Sequence, residues 1–247
     1  MTERFYELYE GVPRQGPGTR EATLQALSLV PPLPAAPAVL DVGCGAGAQT
    51  SVLAGALPTA RITALDLHAP FLAQVRGRAA REGWAERLST AEASMDALPF
   101  APASFDLAWA EGSLYSVGIE RALASVLPVL RRGACLAYTE LAWLVGSPPA
   151  AAREFLGREY PAIVDVAANL ELARRCGYEV LGHFVVPAAA WEDEYYRPLE
   201  AGVERLLAAH PGEEASLAVA AMVREEIAVY RASGGAYGYV FVVARRP

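Results

Sequence analysis

Short apolar runs alternate with amphipathic segments along most of the chain. The apolar runs suit strands that are buried on both faces, whereas the segments between them carry apolar residues at helical spacing. The runs predict strands at 38–42, 61–66, 87–91, 105–110, 133–140, 179–186 and 237–244. The intervening segments predict helices at 47–57, 70–82, 118–131 and 162–176. This alternation is typical of a parallel sheet with helices on both faces.

The pattern changes after Gly177, where two long helical stretches, 191–209 and 213–232, precede the last strand. Relative to a plain alternation, residues 144–161 and 187–234 are insertions. In an open α/β sheet the ligand lies outside the carboxyl ends of the strands, and insertions that leave those ends tend to cover it. We therefore expect a single domain over residues 1–247, in which the two insertions form a small helical cap.

Residues 1–37 precede the first strand and are expected to form a lid and a helix. A short helix rich in aromatic residues is predicted over 2–10. The prolines and glycines between Gly11 and Gly18 exclude regular structure there. Thr19 is typical of a helix N-cap.

Composition narrows the functional classes. The 247-residue chain has a formal charge of −7, no lysine and 21 arginines spread along its length, which disfavours nucleic acid as a partner because nucleic-acid binders usually have a basic face. No apolar run reaches the roughly 18 residues of a membrane span. The three cysteines are too few and too scattered for a disulfide framework or a metal site. We expect a cytoplasmic protein without nucleic-acid, membrane or metal partners; a monomer and a homodimer are both compatible with the sequence.

The most informative stretch is Asp41-Val42-Gly43-Cys44-Gly45-Ala46-Gly47, in which a strand leads into glycines at alternate positions. Glycine has no Cβ, so the backbone can turn sharply and lie against a ligand, with the amides of the next helix facing it. Two interpretations are an ordinary strand–helix turn and a dinucleotide site. The second is supported by the G-x-G-x-x-A match that ends at Ala48 and by Asp66 on the next strand.

A third interpretation uses more of the chain. Asp41, Gly43, Gly45 and Gly47 match the D-x-G-x-G-x-G signature of the class I S-adenosylmethionine (SAM) methyltransferases, which the chain resembles. Four further segments resemble this family in chain order: Ile62–Leu67, Ser94–Phe100, Ser104–Trp109 and Val129–Ala134. Leu-Pro-Phe in the second of these is similar to the type 11 group of small-molecule methyltransferases. The opening segment resembles bacterial members of uncharacterised function.

The resemblance implies a Rossmann-like, seven-stranded, mostly parallel sheet with helices on both faces and a reversed final strand. It implies that residues 38–143 hold SAM and that the protein transfers its methyl group to a small-molecule acceptor, releasing S-adenosylhomocysteine (SAH). Two alternatives stay open, an NAD(P)-dependent oxidoreductase and a SAM-binding regulator without catalytic activity.

The resemblance also implies cofactor contacts. Asp41 offers a negative charge to the ammonium group of SAM, and Asp66 suits the two ribose hydroxyls, although it is also well placed to cap the next helix. Arg14 and Gln15 are expected to reach the carboxylate of SAM. The full expected set is Asp41, Gly43, Cys44, Gly45, Gly47, Gln49, Thr50, Asp66, Leu67, Ser94, Met95, Asp96, Glu111, Arg14 and Gln15.

The adenine contacts are expected from Leu67 and Met95, on either side of the ring. The type 11 pattern commonly has an aspartate four residues before the leucine of Leu-Pro-Phe, where it accepts from the adenine amine. Here that position is Ser94, and Asp96 follows two residues later. Both side chains are hydrogen-bond acceptors, so either is a candidate for the adenine contact.

A general base is needed only when the acceptor must lose a proton. Glu111, which follows the fourth strand, is the first candidate, and Tyr115 is the second. Glu140, His183 and Tyr196 also lie near strand ends and are less favoured. Two aromatic groups are expected either to line a cap over the sulfonium or to pack in the core: Phe5, Tyr6 and Tyr9, and Trp191, Tyr195 and Tyr196.

Overall fold

One mixed sheet forms the centre of the computed structural model, which describes residues 1–247. Its strands are β1 Ala38–Val42, β2 Arg61–Asp66, β3 Leu88–Glu92, β4 Phe105–Ala110, β5 Leu130–Trp143, β6 Val164–Asp165, β7 Glu179–Val185 and β8 Tyr237–Arg245. The order is β3-β2-β1-β4-β5-β8-β7, and β6 pairs with the end of β5. Only β8 runs antiparallel to its neighbours, β5 and β7. The predicted sheet with its reversed last strand is confirmed, and β6 adds a two-residue strand that was not predicted.

The helices are α1 Thr2–Glu10, α2 Arg20–Ser28, α3 Ala48–Ala56, α4 Ala69–Glu82, α5 Ile119–Val129, α6 Ala150–Glu159, α7 Val166–Arg175, α8 Ala189–Trp191, α9 Arg197–Ala209 and α10 Glu214–Ser233. A π-helical segment, Glu192–Tyr196, joins α8 to α9 without a break. Strand β5 begins directly after α5, because Leu130 pairs with Phe105 of β4. None of these helices combines the length and the apolar character needed to cross a membrane.

The sheet is buried on both faces, which explains its continuous apolar strands. Side chains alternate between the faces along each strand. On β4, Leu107 and Trp109 belong to the larger apolar cluster, whereas Ala108 and Ala110 belong to the cluster on the opposite face. All four are fully buried. This two-sided burial holds the carboxyl ends of β1, β2 and β4 together at one edge of the sheet.

Helices α1, α6, α8, α9 and α10 pack together at that edge, and we call them the helical group. Helix α1 therefore joins elements from the other end of the chain. Arg4 Nε lies 2.7 Å from Glu213 Oε2, and the hydroxyls of Tyr9 and Tyr195 lie 3.0 Å apart. A Cβ on Gly202 would lie 2.7 Å from a methyl carbon of Leu8, so glycine allows α1 and α9 to approach this closely.

Replacement of a sheet-core leucine tests this packing. Leu107 is fully buried, and Leu107→Ala should lower the free energy of unfolding by about 2–5 kcal/mol, because it removes buried contacts and leaves a cavity. The matched control is Leu217→Ala on α10, where the side chain is 51% exposed and the expected change is within about 0.5 kcal/mol. Denaturant unfolding followed by circular dichroism measures both. Equal losses in the two variants would contradict the placement of β4 in the core.

Candidate functional site

A cavity of about 520 Å³ opens at the carboxyl ends of β1, β2 and β4. This volume lies in the range of small-molecule and cofactor pockets. One part of its lining, the loop part, contains Gly43–Gly45, Asp66, Leu67 and Met95. The other, the aromatic part, is lined by the helical group, by β8 and by the segment after β4. Both parts belong to one continuous cavity.

The glycine loop needs glycine for two reasons. Gly43, Gly45 and Gly47 have φ angles of 70°, 53° and 80°, which L side chains rarely adopt. A Cβ on Gly43 would lie 2.4 Å from the Cβ of Ser113, and one on Gly45 would lie 2.6 Å from Gln15 Oε1. The loop is therefore held between the segment after β4 and the N-terminal segment, with Gly43, Cys44 and Gly45 lining the cavity.

The amides of these three lining residues are already hydrogen-bonded. Gly43 N and Cys44 N donate to Leu65 O at 2.8 and 2.9 Å, and Gly45 N donates to Asp66 Oδ2 at 2.9 Å. A pyrophosphate is bound by free backbone amides at such a loop. Because these amides are occupied, this part of the wall has no free amide to offer a phosphate.

Asp41 lies beneath the loop and does not line the cavity. It is fully buried, and it accepts hydrogen bonds from Thr50 Oγ1 at 2.5 Å and Gln49 Nε2 at 3.3 Å. Burial raises the pKa of Asp41 to about 7, against the opposing effect of the Thr50 hydrogen bond. Asp41 and Thr50 hold the start of α3, and only Gln49 of the three lines the cavity, so a contact of Asp41 with the SAM ammonium, directly or through water, stays a prediction.

Asp66 lies at the end of β2 and does line the cavity. Its Oδ2 accepts from Gly45 N, and its Oδ1 accepts from the backbone of His68, the residue before α4, at 2.9 Å. Asp66 can therefore both cap α4 and bind the ribose hydroxyls, because a carboxylate has about four acceptor positions and only two are used here. Leu67 beside it is 62% exposed and lines the cavity, whereas Gly47 packs against Val75 instead.

The loop after β3 turns its side chains differently from the prediction. Ser94 donates to Asp96, and Asp96 forms an ion pair with Arg121, 2.6 Å away. Neither Ser94 nor Asp96 lines the cavity, whereas Ala93 and Met95 do. The adenine contact through Ser94 or Asp96 stays a prediction, and in this structure the two side chains are engaged with each other and with α5.

Glu111 lines the cavity, but both of its oxygens are occupied. Oε2 pairs with Arg14 Nη1 at 2.8 Å, and Oε1 accepts from Thr23 Oγ1 at 2.7 Å and Trp109 Nε1 at 2.8 Å. The side chains of Arg14 and Glu111 are 9% and 2% exposed. This pair attaches the N-terminal segment to the end of β4.

Gln15 attaches the same segment to the glycine loop. Its Nε2 donates to Tyr9 O and Val12 O, and its Oε1 accepts from Ala46 N at 2.7 Å. Gln15 and Arg14 both line the cavity, as do the predicted aromatic residues of α1 and of the π-helical segment. Residues 1–18 therefore lie against the loop part of the cavity.

Glu226 of α10 is a cavity residue that the sequence interpretation missed. Its Oε1 accepts from Tyr196 Oη at 3.1 Å, and burial raises its pKa to about 7. A signal was available, because Met222, Glu226 and Tyr230 are spaced by four and share one helix face. A lone carboxylate between apolar residues on such a face indicates a buried acid.

The remaining base candidates occupy different places. Tyr115 and Tyr196 line the cavity, whereas His183 is exposed on β7. Glu140 is buried behind the wall, where Tyr160 Oη donates to it at 2.8 Å, and burial raises its pKa to about 7. Nowhere in the structure do three or more His, Cys, Asp or Glu side chains come together in a way that could hold a metal ion.

Residues 39–133 match the family model described as "Methyltransferase domain". The central part of the chain is therefore similar to a methyltransferase domain. The match covers β1 to the start of β5, which includes the glycine loop, Asp66 and Glu111. Assignment of this methyltransferase domain to the type 11 group stays a prediction.

A malonyl-[acyl-carrier protein] O-methyltransferase of Pseudescherichia vulneris is 37% identical over 105 residues, or 42% of this chain and 39% of that protein. The methyltransferase domain therefore aligns with less than half of this curated relative. A SAM-dependent methyltransferase structure from Geobacter sulfurreducens with SAH has a TM-score of 0.83 at 21% identity, covering 99% of this chain and 98% of that one. One from Thiobacillus denitrificans with SAH has a TM-score of 0.83 at 22% identity, covering 99% and 98%. These two structures share the fold of the whole chain.

The Arg14–Glu111 pair gives a test of how the N-terminal segment is held. Arg14→Met should lower the free energy of unfolding by about 3–5 kcal/mol, because Glu111 would be left as a buried, uncompensated charge. Adding Glu111→Gln to Arg14→Met should recover part of the loss, so that the two effects are not additive. Denaturant unfolding of the single and double variants measures this coupling.

The matched control is the exposed pair Arg245–Glu179, whose side chains are 39% and 51% exposed. Arg245→Met should change stability far less, because solvent screens exposed pairs. Additive effects at Arg14 and Glu111, or equal losses for Arg14→Met and Arg245→Met, would show that the buried pair does not hold the segment in solution.

Proposed function

We propose that this protein transfers a methyl group from SAM to a small-molecule acceptor bound in the same cavity. The observation that carries the proposal is the continuity of the cavity between a glycine loop and an aromatic pocket. A methyl transfer between two small molecules needs both ligands in contact, in line, and shielded from water. The curated relative from Pseudescherichia vulneris matches 42% of this chain, so the acceptor is argued from this chain alone.

The loop part suits SAM, with its amino acid end against Gly43–Gly45 and Gln49. The occupied loop amides favour an ammonium group, which needs acceptors, over a pyrophosphate, which needs donors. Asp66 retains acceptor positions for the ribose hydroxyls. Leu67 and Met95 provide apolar surface for adenine, and Ala93 with Met95 replaces Ser94 and Asp96 as the neighbouring wall.

When bound, SAM supplies an electrophilic methyl group on a sulfonium centre. The aromatic faces at the junction of the two parts stabilise a cation of this kind. The N-terminal segment, held through Arg14 and Gln15, acts as a lid, and the helical group acts as a cap that excludes water. Because Glu111 Oε2 pairs with Arg14 and Oε1 accepts from Thr23 and Trp109, we assign Glu111 to holding the lid. Tyr115 faces the cavity and orients the acceptor.

Ligand binding tests the cofactor assignment. Saturating SAM or SAH should raise the melting temperature by about 5–10 °C, whereas NAD(P) should not. Asp66→Asn should weaken SAH binding by about 10-fold to 100-fold, because it removes charged hydrogen bonds to the ribose. Isothermal calorimetry measures the dissociation constants.

Asp96→Asn is the matched control: the same change outside the cavity should leave SAH affinity within about twofold. Stabilisation by NAD(P) alone would favour an oxidoreductase instead. SAM binding without turnover on any acceptor would favour a regulator. An unchanged affinity in Asp66→Asn would remove the proposed ribose contact.

A further inference from the structure

The aromatic part of the cavity has a distinctive wall. Most of its apolar surface comes from aromatic rings, including Phe155, and a smaller share comes from Leu156 and Met222. Glu226 lines this part together with six tyrosines, and its negative charge adds to the effect of burial in raising their pKa values: Tyr9, Tyr115, Tyr195, Tyr196, Tyr237 and Tyr239. Glu226 is therefore a carboxylate in the wall of a pocket rich in tyrosine.

The charged residues that line this pocket are acidic. Arg14 is the only basic residue in the entire cavity lining, and it is paired with Glu111 in the loop part. Glu159 and Glu225, at the outer edge of the aromatic part, both pair with Arg158. Glu226 has a hydrogen bond from Tyr196 and forms no ion pair. An anionic acceptor would meet this carboxylate without a counter-charge.

Two buried donors in the same wall lack a partner. Trp191 Nε1 and Tyr237 Oη have no hydrogen bond, although their residues are only 4% and 2% exposed and both line the cavity. A buried polar group without a partner is costly, and it is found where a ligand or water completes it. This observation is independent of Glu226, and it points to a ligand in the aromatic part.

The pocket also reaches the cofactor part. The Tyr239 hydroxyl lies 3.3 Å from where a Cβ on Gly112 would be, and Ser113 packs against Gly43. Tyr239 and Glu226 both line this cavity. A ligand beside Glu226 therefore lies along a continuous surface that leads to the glycine loop.

We propose that the aromatic part binds a small primary or secondary amine as its ammonium ion, held by the aromatic faces and by Glu226, which then accepts its proton. This inference rests on the proposed methyl transfer and names its substrate class. Aromatic rings around a carboxylate form the standard surroundings of a bound ammonium. Trp191 and Tyr237 donate hydrogen bonds to an oxygen elsewhere on the amine.

The proton must leave before nitrogen can react, because an ammonium has no lone pair. Glu226 takes that proton, and the nitrogen lone pair forms the new N–C bond. The methyl C–S bond breaks, with its electron pair remaining on sulfur, and the product is a methylated ammonium and SAH. The proton on Glu226 then passes to solvent. Two adjacent cations, sulfonium and ammonium, repel each other, which favours this deprotonation.

The pH dependence follows from the groups that face Glu226. These are Tyr9 of α1, Tyr115 after β4, Glu159 of α6, Tyr195 and Tyr196 of the π-helical segment, and Tyr237 and Tyr239 of β8. The tyrosines are neutral near pH 7, because the ordinary pKa of a tyrosine is about 10 and theirs are raised further. Burial raises the pKa of Glu226 to about 7, so it gains its charge as the pH rises from 6 to 8. Amine affinity should rise over the same interval.

Calorimetry on the SAH-saturated protein tests the proposal with three probes of similar shape, 2-phenylethylamine, 2-phenylethanol and 3-phenylpropanoate. The amine should bind at least about 10-fold more tightly than the alcohol at pH 8, and the carboxylate should bind most weakly. Glu226→Gln should remove the preference for the amine and flatten its pH dependence. Glu214→Gln, the same change at an exposed position of α10, should alter neither.

Several results would overturn the proposal. These are equal or tighter binding of the alcohol or the carboxylate, no amine binding at saturating concentration, and an amine preference that survives in Glu226→Gln. Separate titrations of the ligand-free proteins with SAH distinguish a wrong substrate class from a wrong function. If the unmodified protein and Glu226→Gln both bind SAH but neither binds the amine more tightly than the alcohol, only the proposed substrate class is wrong. If the unmodified protein does not bind SAH, the proposed methyl transfer itself fails.

Discussion

The attachment of the glycine loop to the end of β2 is the constraint on which the site depends. Leu65 O accepts two loop amides, and Asp66 accepts a third. These bonds require the left-handed backbone of Gly43 and Gly45, and they turn the loop so that its α-carbons form the cavity wall. They also decide its chemistry, because a loop whose amides are satisfied no longer offers them to a phosphate. The same residues that resemble a dinucleotide fingerprint therefore suit a different ligand.

The N-terminal segment depends on this loop in turn. Gln15 donates to the carbonyls of Tyr9 and Val12 and accepts from Ala46, so it connects α1 to the loop through one side chain. Arg14 and Glu111 form a second, buried connection. Because α1 packs on α9 and α10, the lid and the helical group are one layer.

Much of the fold could be predicted from the sequence, because buried parallel strands and amphipathic helices have distinct local patterns. The glycine loop and Asp66 were also predictable, since the backbone requires those residue types at that spacing. The direction of individual side chains could not be predicted. Asp41 points beneath the loop, and Ser94 and Asp96 turn towards α5, because each finds partners that lie elsewhere in the chain.

Contacts between distant segments were the least predictable. Nothing in the local sequence pairs Arg14 with Glu111, which lies 97 residues away. Glu226 reaches the cavity only because α10 packs against α6 and α1. Its position on an apolar helix face indicates burial, but the tyrosines around it come from four separate segments. The acceptor side of the site thus depends on the long-range packing of the helical group.

The central claim is that one cavity holds the cofactor at the glycine loop and the acceptor among the tyrosines. A crystal structure of the SAH complex tests it most directly. The account predicts the amino acid end of SAH at Gly43–Gly45, its ribose at Asp66, and its sulfur facing the aromatic part near Tyr239. SAH bound outside this cavity, or with its adenine in the aromatic part, would contradict it.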